Sequence, residues 1–506
     1  MRRSGLVIFA LLSLTGLLVL WSAAPAPAVP AFARRYGVSC STCHSAWPAL
    51  NATGLAFKLS GYRRLNGFDM KPTTQDIELA MGALTIPSIP PVAVTASTGL
   101  DWQKILRRAS DGTRASQTGS SLDLNNAILF VATPLGEHLS AFFEFPMFET
   151  GAPGHGLPNG PSGANATDIG SKRDITFETE SPVFEIGKGM WNSLLPMTIA
   201  PPDSINLKLG VDQLPLGFSA EANRLSIREH LIYRVRALDL LSPIQTDSLP
   251  GTGSLLRLGE PQLQFAVNGL IVPFGALTDL AKPETFSLDY EGGITNGSGN
   301  SSDPNTEKDF FGHVAVRWWG QRLGFFGYYS PDIYNDPQRD DGSINNGFIM
   351  SGRQLANRFS AYGPDLTLSL EPWEIPLWLE TQVLFNRESN PTAFNKSYSW
   401  WGGFSQLNGT IPVRAKYLQR ITAYGRYEWL HGNHFDDTAV CGATDAGPVC
   451  GVTGRVKPHE WQAVAGLQWF ILENLKVTTE YSRRQFTASQ QRVNDNFFAA
   501  RVGFGF

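Results

Sequence analysis

Apolar and polar residues alternate with a period of two along most of the chain, from about residue 76 to the end. In the segment 497–506, Arg501 lies on one face, and the other face carries Phe498, Ala500, Val502, Phe504 and Phe506. The segments 461–469 and 475–484 follow the same pattern. Because successive side chains of a strand point to opposite faces of a sheet, the pattern predicts strands of about ten residues with one apolar and one polar face.

The connections between these segments alternate between short and long. Short turns are predicted at 133–136, 320–321, 371–374 and 473–474. Long stretches rich in Gly, Asn, Ser, Asp and Pro occupy 149–172, 292–308, 331–356, 387–398 and 431–459. Short periplasmic turns and long outer loops are typical of outer-membrane barrels, and Phe506 fits a last strand that ends at the periplasmic interface.

We therefore predict an all-β chain, an antiparallel outer-membrane β-barrel of about 16 strands over residues 76–506. The expected location is the outer membrane of a Gram-negative bacterium, in contact with its lipid. The polar face would line the lumen, where mixed charges that include His313, Arg317, Arg420 and Lys476 favour salt bridges around a plug. A soluble β-sandwich is the alternative, and the long strands with aromatic residues near their ends count against it.

Residues 1–28 have the pattern of a secretory signal peptide, in which Arg2 and Arg3 precede an apolar run and small residues end at Ala28. Its removal would change the net charge from −4 to about −6. A weakly acidic chain has no basic stripe, so we expect no nucleic-acid partner. After residue 28 there is no apolar run of about 20 residues, so no membrane-spanning helix is predicted.

A short motif, Cys40-Ser41-Thr42-Cys43-His44, has the spacing that attaches a c-type haem. Each thiol of such a motif adds to a vinyl group of the porphyrin, and the histidine ligates the iron. A thioredoxin-like disulfide would need a βαβ surround, and a zinc site would need a second suitably spaced pair of ligands. The motif therefore predicts one covalent haem c, with Cys40 and Cys43 as attachment points and His44 as the proximal iron ligand.

The haem would lie on residues 29–75, a small helical segment. So few residues cannot both enclose a porphyrin and build a core of their own, so we expect the segment to plug the barrel and to borrow walls from it. Lumen residues such as His313 and Arg317 would then surround the iron. Met70 is a candidate sixth ligand because methionine ligation raises the potential, although a loop methionine more often serves packing. Arg34 and Arg35 could pair with the haem propionates or remain solvated.

The second cysteine pair, Cys441 and Cys450, brackets a polar stretch within a predicted outer loop. In an oxidising exported compartment, this pair predicts a loop disulfide. A pair of free thiols or a metal site is the alternative.

The flanks of the haem motif resemble the fused monohaem c-type cytochrome–porin family of outer-membrane iron-oxidising proteins. The shared positions are Phe32-Ala33-Arg34 before the motif and, after it, Pro48, Leu50-Asn51, Gly54, Phe57-Lys58 and Gly61-Tyr62. This chain departs from the family pattern at Arg35-Tyr36, where Gln-Thr is usual, and at Thr53 and Leu55, where Phe and Arg are usual.

This resemblance implies electron transfer through the haem from extracellular Fe(II), or another external redox couple, to a periplasmic electron-carrier cytochrome. The chain would then be an Fe(II)-oxidising cytochrome, with no catalytic side chain beyond the haem attachment. Two other functions stay open. One is a passive porin with a structural haem plug, and the other is an outward conduit that reduces an external acceptor.

Overall fold

The computed structural model describes residues 31–63, 76–79, 84–88, 92–108, 112–149, 186–196, 198–218, 224–234, 258–275, 277–297, 307–335, 354–389, 397–415, 418–433, 440–444, 447–451, 459–488 and 491–505. Within these ranges the α-helices are α1 (Ala31–Tyr36), α2 (Ala52–Leu59) and α3 (Leu231–Arg234). Short 3-10 helices lie at Cys40–Thr42, Leu277–Ala281 and Glu371–Trp373. Among the described residues, no helix is both long and apolar enough to cross a membrane.

Sixteen strands pair in antiparallel fashion and close into a barrel. The barrel closes where the last strand pairs with the first, from Arg492 opposite Arg108 to Gly505 opposite Thr95. The strands are β5 (Val92–Arg108), β6 (Arg114–Leu135), β7 (Leu139–Glu149), β8 (Ile186–Trp191), β9 (Asn206–Asp212), β10 (Gln262–Ile271), β11 (Ser287–Thr295), β12 (Asp309–Trp318), β13 (Gln321–Asn335), β14 (Gln354–Ser369), β15 (Leu377–Glu388), β16 (Tyr398–Ala415), β17 (Leu418–Gly432), β20 (His459–Leu472), β21 (Leu475–Ala488) and β22 (Gln491–Gly505). The predicted all-β class and the predicted strand number are confirmed.

Among the described residues, three small two-stranded sheets lie outside the barrel sheet. They are formed by β1 (His44–Ala46) with β2 (Ala49–Leu50), β3 (Asp76–Leu79) with β4 (Leu84–Pro87), and β18 (Val440–Thr444) with β19 (Gly447–Gly451). Since the first barrel strand begins at Val92, the predicted barrel start at residue 76 falls on a separate hairpin. Local alternation identifies a strand without showing which sheet it joins.

The outer face of the barrel exposes large apolar side chains. Leu323, Phe325 and Tyr427 are 54%, 49% and 52% exposed. Near the end with the long loops, exposed rings of neighbouring strands follow one another, with centroids 6.0 Å apart for Tyr362 and Phe385 and 6.4 Å apart for Phe385 and Trp401. An apolar band with aromatic residues at its border is the lipid-facing surface of an outer-membrane barrel. The chain is therefore an outer-membrane protein of a Gram-negative bacterium.

The inner face carries paired charges, as the alternation predicts. Arg426 and Glu428 are 2.7 Å apart, and Arg501 and Asp101 are 2.8 Å apart. Each of these pairs keeps opposite charges together in a lumen that is largely shielded from solvent.

A second, apolar part of the lumen was not predicted. Residues 224–234, here called the inserted segment, enter the lumen, where Leu231 N donates to Glu428 Oε2 at 2.7 Å. Leu231, Ile232 and Tyr233 pack there in a buried cluster with inward rings of the barrel wall, among them Phe359, Trp400 and Phe404. Strands in this sector carry apolar residues on both faces, so their sequence does not show which face is the lumen.

Candidate functional site

The haem motif begins in the 3-10 helix at Cys40–Thr42, which Cys43 ends by donating its N–H to the carbonyl oxygen of Cys40 at 3.2 Å. Both thiols are free; Cys40 is buried and Cys43 half-buried. Burial, aided by the charge of Glu473, raises the pKa of Cys40 to about 11, and burial raises the pKa of Cys43 to about 11. A reactive redox pair relies on a lowered thiol pKa, so the site disfavours a thioredoxin-like function.

His44 begins β1, and its ring is hydrogen-bonded to the backbone at Pro48 and Ala49. Its Nδ1 lies 3.0 Å from the carbonyl oxygen of Pro48. A carbonyl oxygen can only accept, so Nδ1 carries the proton, and Nε2 holds the lone pair that binds a metal. Burial lowers the pKa of His44 to about 4, which keeps the imidazole neutral. A neutral histidine whose other nitrogen donates to a backbone carbonyl is the usual form of a metal-ligating histidine.

Asn51 holds the motif against α2. Its Oδ1 accepts from Gly54 N at 3.0 Å and caps the helix, while its Nδ2 donates to the carbonyl oxygens of Thr42 and Ser41 at 3.1 and 3.3 Å. The backbone N–H of Asn51 donates to the carbonyl oxygen of Cys43 at 2.9 Å. The side chain thus fixes both the start of the helix and the middle of the haem motif, and the backbone of the same residue holds Cys43.

Gly54 allows α2 to approach the motif closely. A Cβ atom at this position would overlap the carbonyl oxygen of Cys43. The segment's other packing is aromatic: Phe32, Phe57 and Tyr62 stack or meet edge to face, and Tyr62 stacks on Phe142 of β7 at 5.2 Å. The aromatic cluster therefore joins the small segment to the barrel wall.

The segment contacts the barrel at the end that carries the short turns. Cys40 N donates to Oε2 of Glu473, in the β20–β21 turn, at 3.1 Å. Lys476 Nζ donates to the carbonyl oxygen of Trp47 at 3.0 Å, and Asn206 Nδ2 donates to that of Leu59 at 3.1 Å. Because short turns face the periplasm in such barrels, residues 31–63 lie in the lumen at its periplasmic end.

His313 and Arg317 line a cavity of about 260 Å³, together with Ser45 and Leu50 of the segment. His313 Nε2 is 2.8 Å from Asp365 Oδ2, so this nitrogen is engaged. Met70 lies outside the described residues, and its assignment as sixth ligand stays a prediction. Arg34, considered above as a propionate partner, donates to the carbonyl oxygen of Val92.

Three residues near the motif were not linked to it by sequence. Arg420 lies on β17, Lys476 on β21 and Glu473 in the turn before β21, all far from the motif along the chain. The alternation placed Arg420 and Lys476 on the lumen face, but only the barrel closure brings them beside Cys40 and Trp47.

The second cysteine pair lies on the β18–β19 hairpin, where Cys441 is directly opposite Cys450. The side chains of this hairpin lie outside the described part of the chain. Directly opposite residues of antiparallel strands have Cα separations of about 4.5–5.5 Å, which a disulfide can bridge. The disulfide stays a prediction, and the backbone of the β18–β19 hairpin is compatible with it.

No family model matches the chain, and no curated protein matches it. Among solved structures, an anion-selective porin from Comamonas acidovorans is similar, with 9% identity and a TM-score of 0.45, over 82% of this chain and 99% of that one. OprB of Pseudomonas putida has 10% identity and a TM-score of 0.41, over 81% and 94% of the two chains. The outer membrane channel DcaP of Acinetobacter baumannii has 10% identity and a TM-score of 0.41, over 85% and 99%.

Proposed function

We propose that this chain is an outer-membrane electron-transfer cytochrome that carries one covalent haem c within its barrel. The observation that carries the proposal is the state of His44: a neutral imidazole that is protonated on Nδ1 and therefore keeps its lone pair on Nε2. Two free thiols one 3-10 turn apart stand immediately before it. This donor set is the one that c-type attachment requires.

The residues of the site have separate roles in this proposal. Cys40 and Cys43 form the thioether links, and His44 supplies the proximal nitrogen. The Pro48 carbonyl orients the imidazole, and Asn51 keeps the motif on α2. The bound haem supplies one-electron chemistry, while the barrel wall excludes water and sets the charge around the site.

The direction of electron flow is proposed from the resemblance to the cytochrome–porin family. Fe(II) or another external couple would be the donor, and a periplasmic cytochrome the acceptor. The position of residues 31–63 at the short-turn end supports the second half of this path, because a haem there is close to a periplasmic partner. An outward conduit would use a haem at the same periplasmic end of the barrel, but electrons would flow from the periplasmic cytochrome to an external acceptor.

A passive porin is the competing function, and the closed sixteen-stranded barrel by itself fits it at least as well; the contents of the described lumen are what favour the proposal. The N-terminal segment occupies the periplasmic end, and the inserted segment packs into an apolar cluster farther along the wall. An open solute path needs a polar, water-filled lumen.

The test is a denaturing gel of the purified chain stained for haem peroxidase activity, with an optical spectrum of the native protein. The chain should stain at its full size, and the spectrum should show a reducible c-type haem. The double variant C40A/C43A should be colourless while still inserting into the membrane. A colourless wild-type chain from cells with working haem-attachment machinery would overturn the proposal and leave the passive porin.

A further inference from the structure

Two basic residues of the barrel wall stand at one level beside the haem motif. Arg420 of β17 is directly opposite Phe470 of β20, and Phe470 is in turn opposite Lys476 of β21. Phe470 is fully buried, so this row of three residues faces the lumen. The motif segment lies against the same row, where Lys476 Nζ is 4.1 Å from the ring centroid of Trp47 and donates to its carbonyl oxygen.

The Arg420 guanidinium is only partly satisfied. Its Cζ lies 4.3 Å from the ring centroid of Phe470, which supports the cation from one side. Its Nε and Nη2 atoms are buried and make no hydrogen bond with any described residue. Buried donors without a partner are costly and rare in native proteins, so such a group indicates an anion that completes it.

The neighbouring acid does not complete Arg420. The Glu473 carboxylate accepts the Cys40 N–H at 3.1 Å and forms no ion pair with Arg420 among the described residues. Lys476 uses its ammonium for one carbonyl oxygen and has two further protons to donate. Two cations, Arg420 and Lys476, thus stand beside a single carboxylate, that of Glu473.

We propose that Arg420 and Lys476 bind the propionate carboxylates of the haem attached at Cys40 and Cys43. This inference rests on the proposed function, because it assigns the partner of a haem that the motif attaches. A haem carries two carboxylates, and a guanidinium and an ammonium are the side chains that pair with carboxylates. The wall of the barrel, rather than the motif segment, thereby neutralises the haem and holds it in the lumen.

The positive charges of Arg420 and Lys476 should also change the midpoint potential of the haem. Positive charge beside the propionates offsets their negative charge and so favours the reduced iron. Removing one of the two cations should stabilise the oxidised form. When a variant is poised at the wild-type midpoint potential, its ratio of reduced to oxidised haem should be about tenfold lower than in wild type. For a one-electron couple, this corresponds to a midpoint potential that is lower by about 59 mV.

The experiment compares the full-length variants R420Q, R420K and K476Q with wild type by haem staining and potentiometric titration. The matched control is R483Q, because Arg483 of β21 is exposed and lies over the outward ring of Trp461. R420Q and K476Q should keep their haem and show lower midpoints that depend more strongly on pH, since a propionate without its cation titrates at higher pH. R420K should lie between R420Q and wild type, and R483Q should match wild type.

The outcomes separate this inference from the proposed function. Wild-type protein without haem would overturn both. If R420Q and K476Q carry haem and titrate like R483Q, the haem stands but its carboxylates bind elsewhere, and the inference is wrong. If R420Q fails to fold, the midpoint potentials of K476Q and R420K, measured by the same titration, test the inference in its place.

Discussion

Nδ1 of His44 lies 3.0 Å from the carbonyl oxygen of Pro48, four residues along the chain. This contact places the proton of the ring on Nδ1 and the lone pair on Nε2, without help from a carboxylate. Because the acceptor is a backbone atom, it depends on the course of the chain from 44 to 51. The residues that hold this course should therefore control haem attachment as strongly as the ligands do.

Asn51 is the first such residue. N51A should lose the cap of α2, a cost of about 1 kcal/mol, together with both hydrogen bonds to the motif carbonyls. N51D should keep the cap, since a carboxylate accepts from Gly54 N, but it cannot donate to Thr42. We expect haem per chain, measured by stain intensity against total protein, to fall in both variants. Equal yields for N51D and wild type would show that the donated bonds do not position the motif.

Gly54 is the second residue that holds the course of the chain from 44 to 51. In G54A the added methyl group would overlap the carbonyl oxygen of Cys43, so α2 must move away from the motif. We expect a several-fold loss of haem per chain, measured on the same stained gels. G425A is the matched control, because the structure leaves open space around Gly425 in β17. A haem yield in G54A equal to that in G425A would contradict the close approach seen here.

The sequence predicted the barrel better than the site. Alternation showed where Arg501 and Phe498 point, the turn predicted at 473–474 is confirmed, and the turn predicted at 320–321 lies one residue earlier, at 319–320. It failed where Phe326 and Phe404 place aromatic rings in the lumen, because strands that are apolar on both faces carry no period-two signal. The motif identified Cys40, Cys43 and His44, whereas Arg420, Glu473 and Lys476 approach them only through barrel closure, which no local pattern encodes.

Replacing Glu473 should shift the midpoint potential of the haem in the opposite direction to replacing Arg420. Its carboxylate accepts the Cys40 N–H, so E473Q removes a negative charge beside the attachment site. Loss of that charge should favour the reduced haem and raise the midpoint by about 40 mV, on the order of 1 kcal/mol for one electron. The control is E374Q, because Glu374 is an exposed acid that ends the 3-10 helix at Glu371–Trp373, in another short turn. A midpoint in E473Q at or below that of E374Q would show that Glu473 carries no charge near the haem.

The Cys441–Cys450 pair should be oxidised and accessible from outside the cell. Direct opposition of the two residues on one hairpin places them within bridging distance. Alkylation of intact cells should label the two cysteines only after reduction, as read by peptide mass. The variant C441S/C450S should keep its haem, because the hairpin lies outside the barrel sheet. Simultaneous loss of haem would give these cysteines another role.

We propose that electrons cross the membrane through a haem in this barrel. Vesicles that contain the purified chain and an enclosed oxidised redox protein would be mixed with an external reductant that cannot cross lipid, and both absorbances followed over time. We predict that the barrel haem is reduced first and the enclosed protein next, and that C40A/C43A vesicles stay oxidised. Reduction of the enclosed protein at the same rate with C40A/C43A, or a haem that reduces while the enclosed protein never does, would contradict the account.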